Sequence, residues 1–155
     1  SSKSLYLQPM KAAKSFSLSQ QERNSIRSRV RALLEREPVV LFAYLYGSFV
    51  TADGFNDIDV AVWVDETILK DKGEIFDYQL NLALRMGREL RAYPVDASVL
   101  NSAPLPLRFR VVSEGDLILS RDQRKRIEFE SYTRARFFDF LPHLEFYYEK
   151  LVLGK

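Results

Sequence analysis

Residues 45–64, LYGSFVTADGFNDIDVAVWV, decide how this chain is read. A glycine–serine pair closes one apolar run, VVLFAYLY (39–46), and an Asp-x-Asp opens the next, DIDVAVWV (57–64). Both runs are rich in β-branched and aromatic residues, so they read as buried strands that neighbour each other in a sheet. A glycine after a buried strand lets the backbone turn sharply and approach a ligand closely. A short helix starting at Ser48 would turn its free N–H groups toward a phosphate. Side chains alternate along a strand, so Asp57 and Asp59 share one face while Ile58, Val60 and Val62 enter a core on the other. Two carboxylates on one face repel unless a cation lies between them. Mg²⁺ is held by such pairs together with substrate phosphate oxygens.

Working outward, S-Q-Q-E at 19–22 fits a capping box, with Ser19 as N-cap and Glu22 three positions on. Ile26, Val30, Leu33 and Leu34 follow at helical spacing, and Pro38 stands where that helix should stop. Residues 73–90 form a second helix, with Phe76, Leu80, Leu84, Gly87 and Leu90 near one face. PVDASVL (94–100) reads as a third strand. Its Asp96 faces away from Val95, Ala97 and Val99, so pairing beside 57–64 would bring a third carboxylate to the same surface. Three carboxylates suit a site in which cations activate an attacking oxygen and stabilise a leaving one. A short helix near 105–113 and a turn and strand over 114–120 come next. The segment from Asp122 onward (122–153) is helical in composition, and Pro142 is expected to kink or split it. Residues 1–16 show no period and read as a loose lead-in. The expectation is one α/β domain over 1–155, a small mixed sheet flanked by helices.

Composition narrows the chemistry. Of 155 residues, 46% are hydrophobic and 28% charged, with 23 basic and 21 acidic side chains, so the net charge of +2 selects no partner. Cysteine is absent, which removes thiol catalysis and thiolate metal sites. The single histidine, His143, lies far from other polar clusters, which argues against serine–histidine hydrolysis and two-histidine zinc sites. If the chain is an enzyme, carboxylates with a metal are the most plausible chemistry left. No run approaches the ~20 apolar residues of a membrane span, the start lacks the apolar core of a secretion signal, and a cytoplasmic location is the default.

Bland readings exist for each piece. An isolated Asp-x-Asp is usually a turn or a solvated strand end, and Asp53-Gly54 is turn chemistry. RDQRKR (121–126) reads as a solvated helix start, with no direct nucleic-acid role. The aromatics Phe129, Tyr132, Phe137, Phe138, Phe140, Phe146, Tyr147 and Tyr148 read as core or partner interface.

Gly47-Ser48, Asp57-x-Asp59 and a later strand-borne Asp96 resemble the pattern of the polymerase-β-type nucleotidyltransferases. Within that superfamily the chain is similar to the minimal nucleotidyltransferases (MNT), the antitoxin halves of HEPN–MNT pairs. VDASVLNSAPLPLRFRVVSEGDLILSRD (95–122) and SYTRARFFDFLPHLEFYYEK (131–150) carry that closer likeness. The resemblance implies ATP and Mg²⁺, with AMP placed on a tyrosine of a cognate HEPN ribonuclease toxin. It implies Asp57, Asp59 and Asp96 as catalytic metal ligands and Gly47 and Ser48 as nucleotide-binding. Two alternatives stand beside it: an antitoxin that masks its toxin by binding alone, and a small-molecule nucleotidyltransferase. The chain departs from many members in placing only eight residues between Ser48 and Asp57, with no arginine just after the Gly-Ser pair.

Overall fold

A computed structural model describes residues 15–154. Ser19 caps the first helix, α1 (Gln20–Glu35), by accepting a hydrogen bond from the Glu22 N–H, as the capping box requires. The continuous apolar run becomes β2 (Val40–Tyr46), and the one after the Gly-Ser pair becomes β4 (Ile58–Val64). Between them stand a single-turn helix, α2 (Ser48–Thr51), and a two-residue strand, β3 (Gly54–Phe55). β3 pairs antiparallel with β1 (Phe16–Ser17). The lead-in is therefore anchored at its end; the rest of it lies outside the described residues.

The chain continues through α3 (Lys72–Glu89), β5 (Val95–Val99), a 3-10 turn at 100–102, α4 (Leu105–Glu114), β6 (Asp116–Ser120) and α5 (Gln123–Val152). The main sheet has the order β5-β4-β2-β6. β2 lies antiparallel to β4 and β6, and β4 lies parallel to β5. This is the expected α/β architecture, a four-stranded mixed sheet flanked by helices with a long C-terminal helix.

Strand alternation divides the interior in two. Ala43, Leu45, Val60, Val62, Ala97 and Val99 face Ile26, Val30 and Leu34 of α1 and Leu82, Met86 and Leu90 of α3. Phe42, Tyr44, Tyr46 and Ala61 face the other way, onto Val111 of α4 and Phe129 of α5. Phe42 stacks on Trp63 there and Phe129 packs tilted against both, with centroids 5.3–5.8 Å apart. Both faces of the central strands are buried, which is why their sequences read as unbroken apolar runs.

Two expectations are corrected. The helix at 73–90 exists, but its core face is Leu82, Met86 and Leu90, not the stripe chosen from the sequence. Of that stripe only Leu90 is buried; Phe76, Leu80 and Leu84 are 58%, 49% and 59% exposed. The helix carries two apolar stripes, and periodicity cannot tell which one meets the sheet. Second, α5 runs unbroken through Pro142. It is buried only at Phe129 and Thr133, so its last two turns and more stand clear of the sheet. Phe109 stacks on Phe137 at 3.7 Å, whereas Phe138, Phe146, Tyr147 and Tyr148 are exposed.

The basic run at 121–126 is the solvated helix start expected, and two of its arginines also make defined contacts. Arg121 caps the end of α1 by donating to the carbonyls of Glu37 at 2.6 Å, Val40 at 2.8 Å and Leu34 at 3.3 Å. Arg126 pairs with Glu130 at 3.0 Å, and Glu130 accepts from the Tyr44 hydroxyl at 2.6 Å. Arg124 and Lys125 are exposed.

Candidate active site

The strand ends set the geometry. β2 finishes at Tyr46 where β4 begins, because the two are antiparallel, and Tyr46 sits opposite Asp59. β5 starts at the same end, because it is parallel to β4, and Asp59 sits opposite Asp96. Paired positions on neighbouring strands point to the same face about 4.8 Å apart, so Tyr46, Asp59 and Asp96 form a row across three strands. Asp57 lies one residue before β4 and comes within hydrogen-bonding reach of Asp59. Gly47 and Ser48 close the row on the β2 side, at the entry to α2.

Gly47 is required by two independent facts. Its φ of 79° lies in a region that L-residues rarely adopt. A Cβ there would meet the Asp59 Oδ2 atom at 2.2 Å. The carboxylate thus occupies the space that any larger residue needs: the sequence points to a glycine approaching a ligand, and in the structure its close neighbour is Asp59. The Gly47 carbonyl accepts from the N–H groups of Val50 and Thr51 at 3.0 and 3.1 Å and from the Thr51 hydroxyl at 3.2 Å.

The loop 49–56 carries no arginine of its own, but one reaches it from α1. Arg23 donates to the carbonyls of Phe49, Ala52 and Asp53, the second at 3.0 Å. Its guanidinium also lies over the Phe49 and Phe55 rings, 5.3 and 5.4 Å from their centroids. Asp53 is exposed and belongs to this turn, not to the row of carboxylates.

The acidic groups strain one another. Asp59 is pushed up to about 6, first by burial, then by the charges of Asp57 and Asp96, while Arg110 pulls it down. The Tyr46 hydroxyl is likewise pushed up, chiefly by burial and further by Asp59 and Asp96. A hard cation at this spot would relieve the repulsion, and the donors on offer are all carboxylate oxygens, which suit Mg²⁺. Among the described residues no three His, Cys, Asp or Glu side chains stand already grouped as ligands. Asp57 and Asp59 would form the first pair, with Asp96 across the strand boundary.

Three neighbours escaped the sequence reading. Tyr46 shares a 3.3 Å hydrogen bond with Ser98, two residues beyond Asp96 on the same strand face. Arg110 of α4 lies 5.8 Å over the Tyr46 ring and is the cation closest in effect to Asp59. Tyr46 ends a hydrophobic run and Arg110 sits within a helix of mixed character, so nothing local in the sequence marks either.

Comparison with curated proteins finds no significant match. Among solved structures, the chain is similar to one from the tri-AMPylated Shewanella oneidensis HEPN toxin in complex with MNT antitoxin. Identity there is 23%, with 85% of this chain and 97% of that chain covered and a TM-score of 0.61. It is similar also to a chain of a toxin–antitoxin with AMP-PNP, at 24% identity, 83% and 96% coverage and a TM-score of 0.62. A third likeness is to the toxin–antitoxin MntA–HepT, at 24% identity, 88% and 97% coverage and a TM-score of 0.57. At such identities these likenesses speak for the fold. Residues 28–124, which include Gly47, Ser48 and all three aspartates, match the family described as polymerase beta, nucleotidyltransferase. The chain belongs to the polymerase beta nucleotidyltransferase family.

Proposed function

We propose that this protein is an MNT-type antitoxin that transfers AMP from ATP to a tyrosine of a cognate HEPN ribonuclease toxin. The observation that carries the reading is the gathering of Asp57, Asp59 and Asp96 at one end of the sheet, beside a position that only glycine can fill. The likeness in fold to chains from toxin–antitoxin complexes, one AMPylated and one with AMP-PNP, supports it.

The residues divide the work along the sheet. Gly47 and Ser48 hold the β- and γ-phosphates at the entry to α2, where backbone N–H groups and the serine hydroxyl are at hand. Asp57 and Asp59, with Asp96, would hold Mg²⁺, which would supply positive charge to the phosphates and Lewis-acid polarisation of the α-phosphoryl group. The tyrosine oxygen forms a bond to the α-phosphorus while the bond to the bridging oxygen breaks. Pyrophosphate leaves with the electron pair, and the phenolic proton passes to Asp96. Arg110 favours the ionised form of Asp59 against its two acidic neighbours and adds positive charge to the site.

The test is to incubate the full chain and its HEPN partner with α-labelled ATP and Mg²⁺. The partner should gain label and one AMP mass per modified tyrosine. An Asp57→Ala/Asp59→Ala double variant should leave it unlabelled while still folding. Labelling that persists in that variant overturns the assignment of these carboxylates. An unmodified toxin that is nonetheless silenced overturns transfer in favour of masking.

A further inference from the structure

Across the sheet the parts stand in a fixed order: the Gly47–Ser48 turn after β2, Asp57 and Asp59 on β4, Asp96 on β5. β5 is an edge strand, and beyond it lies a cavity of about 660 Å³. Lys72, Phe76 and Gln79 of α3, Ser98, Asn101 and Leu107 line it. Ser98 belongs to both places, since it borders the cavity and bonds Tyr46 in the row of carboxylates. The walls are fixed in advance: Gln79 accepts from the Val99 N–H at 2.9 Å, and Asn101 accepts from the Val64 N–H at 2.9 Å and donates to its carbonyl at 3.0 Å.

Displacement at phosphorus is in line, with attacking and leaving oxygens on opposite sides. With pyrophosphate leaving toward Gly47 and Ser48, the attacking hydroxyl has to arrive from the β5 side. That side is where the cavity lies, joined to the row of carboxylates through Ser98. We infer that this cavity receives the acceptor hydroxyl, and that the acceptor is a tyrosine borne on a folded protein that lies along the exposed Phe76–Leu80–Leu84 stripe of α3.

The inference rests on the proposed transfer and adds where the acceptor enters and what carries it. Two observations separate a protein acceptor from a free small molecule. Phe76 is at once a wall of the cavity and the first member of the stripe, so the two surfaces are continuous. The stripe extends about 12 Å along the helix, at a rise of about 1.5 Å per residue, away from the cavity. A small molecule seated in the cavity would leave Leu80 and Leu84 uncovered, whereas a protein surface covers them. Apolar lining with two amides and two serines nearby suits a phenol, and Lys72 at the rim suits an acidic residue flanking it.

The transfer to the HEPN partner is measured with three variants of the full chain, alongside ATP–Mg²⁺ binding by calorimetry. Leu80→Ser/Leu84→Ser should raise the KM for the HEPN partner roughly tenfold or more and leave kcat at saturation and ATP binding unchanged. Ala103→Trp, which fills the cavity from its wall, should abolish transfer and leave ATP binding unchanged. Both sites are exposed or half-buried, so the fold tolerates the changes. Unchanged KM in the stripe variant together with full transfer by the plugged variant overturns the inference while leaving the proposed function intact. Asp57→Ala/Asp59→Ala provides the separation: transfer that survives it defeats the proposed function itself. A wild-type chain that never labels the partner defeats both.

Discussion

Replacing Gly47 with alanine tests the core of the site with a single methyl group. The backbone there has φ 79° and ψ −160°, a region essentially reserved for glycine. Holding an alanine in it costs on the order of 1–3 kcal/mol. The new methyl would also lie 2.2 Å from the Asp59 Oδ2 atom and 3.2 Å from its Cγ, so the carboxylate must turn aside. An off-rotamer side chain adds about 0.5–1.5 kcal/mol, which brings the loss of stability to about 2–4 kcal/mol. For a domain of this size that corresponds to a fall in Tm of roughly 5–15 °C. Urea titration followed by fluorescence of Trp63, the chain's one tryptophan, reads this out, because that ring stacks in the core beside β2. Gly87→Ala is the control: its Cβ would meet nothing within 4 Å, and it lies inside α3. It should stabilise the protein by about 0.5–1 kcal/mol. AMP transfer should be lost in Gly47→Ala even at temperatures where the variant is folded, because Asp59 no longer stands in the row. A Gly47→Ala protein within about 0.5 kcal/mol of wild type and still active would refute the reasoning.

Further outcomes are expected. Asp59 titrates near 3.8 when free and near 6 in the folded chain, so between those values the folded state holds a proton the unfolded state has lost. Metal-free stability should therefore be greater near pH 4 than above pH 6 on account of this group, and Asp59→Asn should remove that part of the slope in calorimetric scans. Mg²⁺ affinity should run the other way, weakening as the pH falls through about 6, because a protonated Asp59 has to lose its proton before it can hold the cation. Arg23→Ala releases three carbonyls of the loop 49–56; it should lower stability by about 1–3 kcal/mol and weaken ATP binding in calorimetry while sparing the carboxylates. Arg121→Ala should cost a similar amount, about 2–3 kcal/mol in urea titration, by exposing the carbonyl end of α1.

The carboxylates were legible from sequence because alternation and strand order suffice to place them: Asp59 and Asp96 share a face once β4 and β5 are neighbours. Gly47 was legible as a turn, but its contact with Asp59 was not, since that depends on how tightly β2 and β4 approach at Tyr46. α3 was legible as a helix and misread as a surface. Its eighteen residues hold two apolar stripes, and only the position of the sheet decides between Leu82–Met86 and Phe76–Leu80–Leu84. Arg23 and Arg110 come to the site from helices far along the chain. One arginine among many carries no mark of its destination, because tertiary packing alone selects it.

Pro142 has no N–H, so the carbonyl four residues earlier in α5 lacks its helical partner there. Nothing beyond Thr133 in that helix is buried. In terms of amide exchange, α5 is two bodies sharing one axis. Amides before Phe137 open only when the sheet and Phe129 come apart, whereas those after Pro142 open by fraying alone. Loss of helix measured over the whole chain should then begin before the Trp63 signal moves. The non-coincidence marks a tail whose order depends on what it touches, attached to a domain whose order does not.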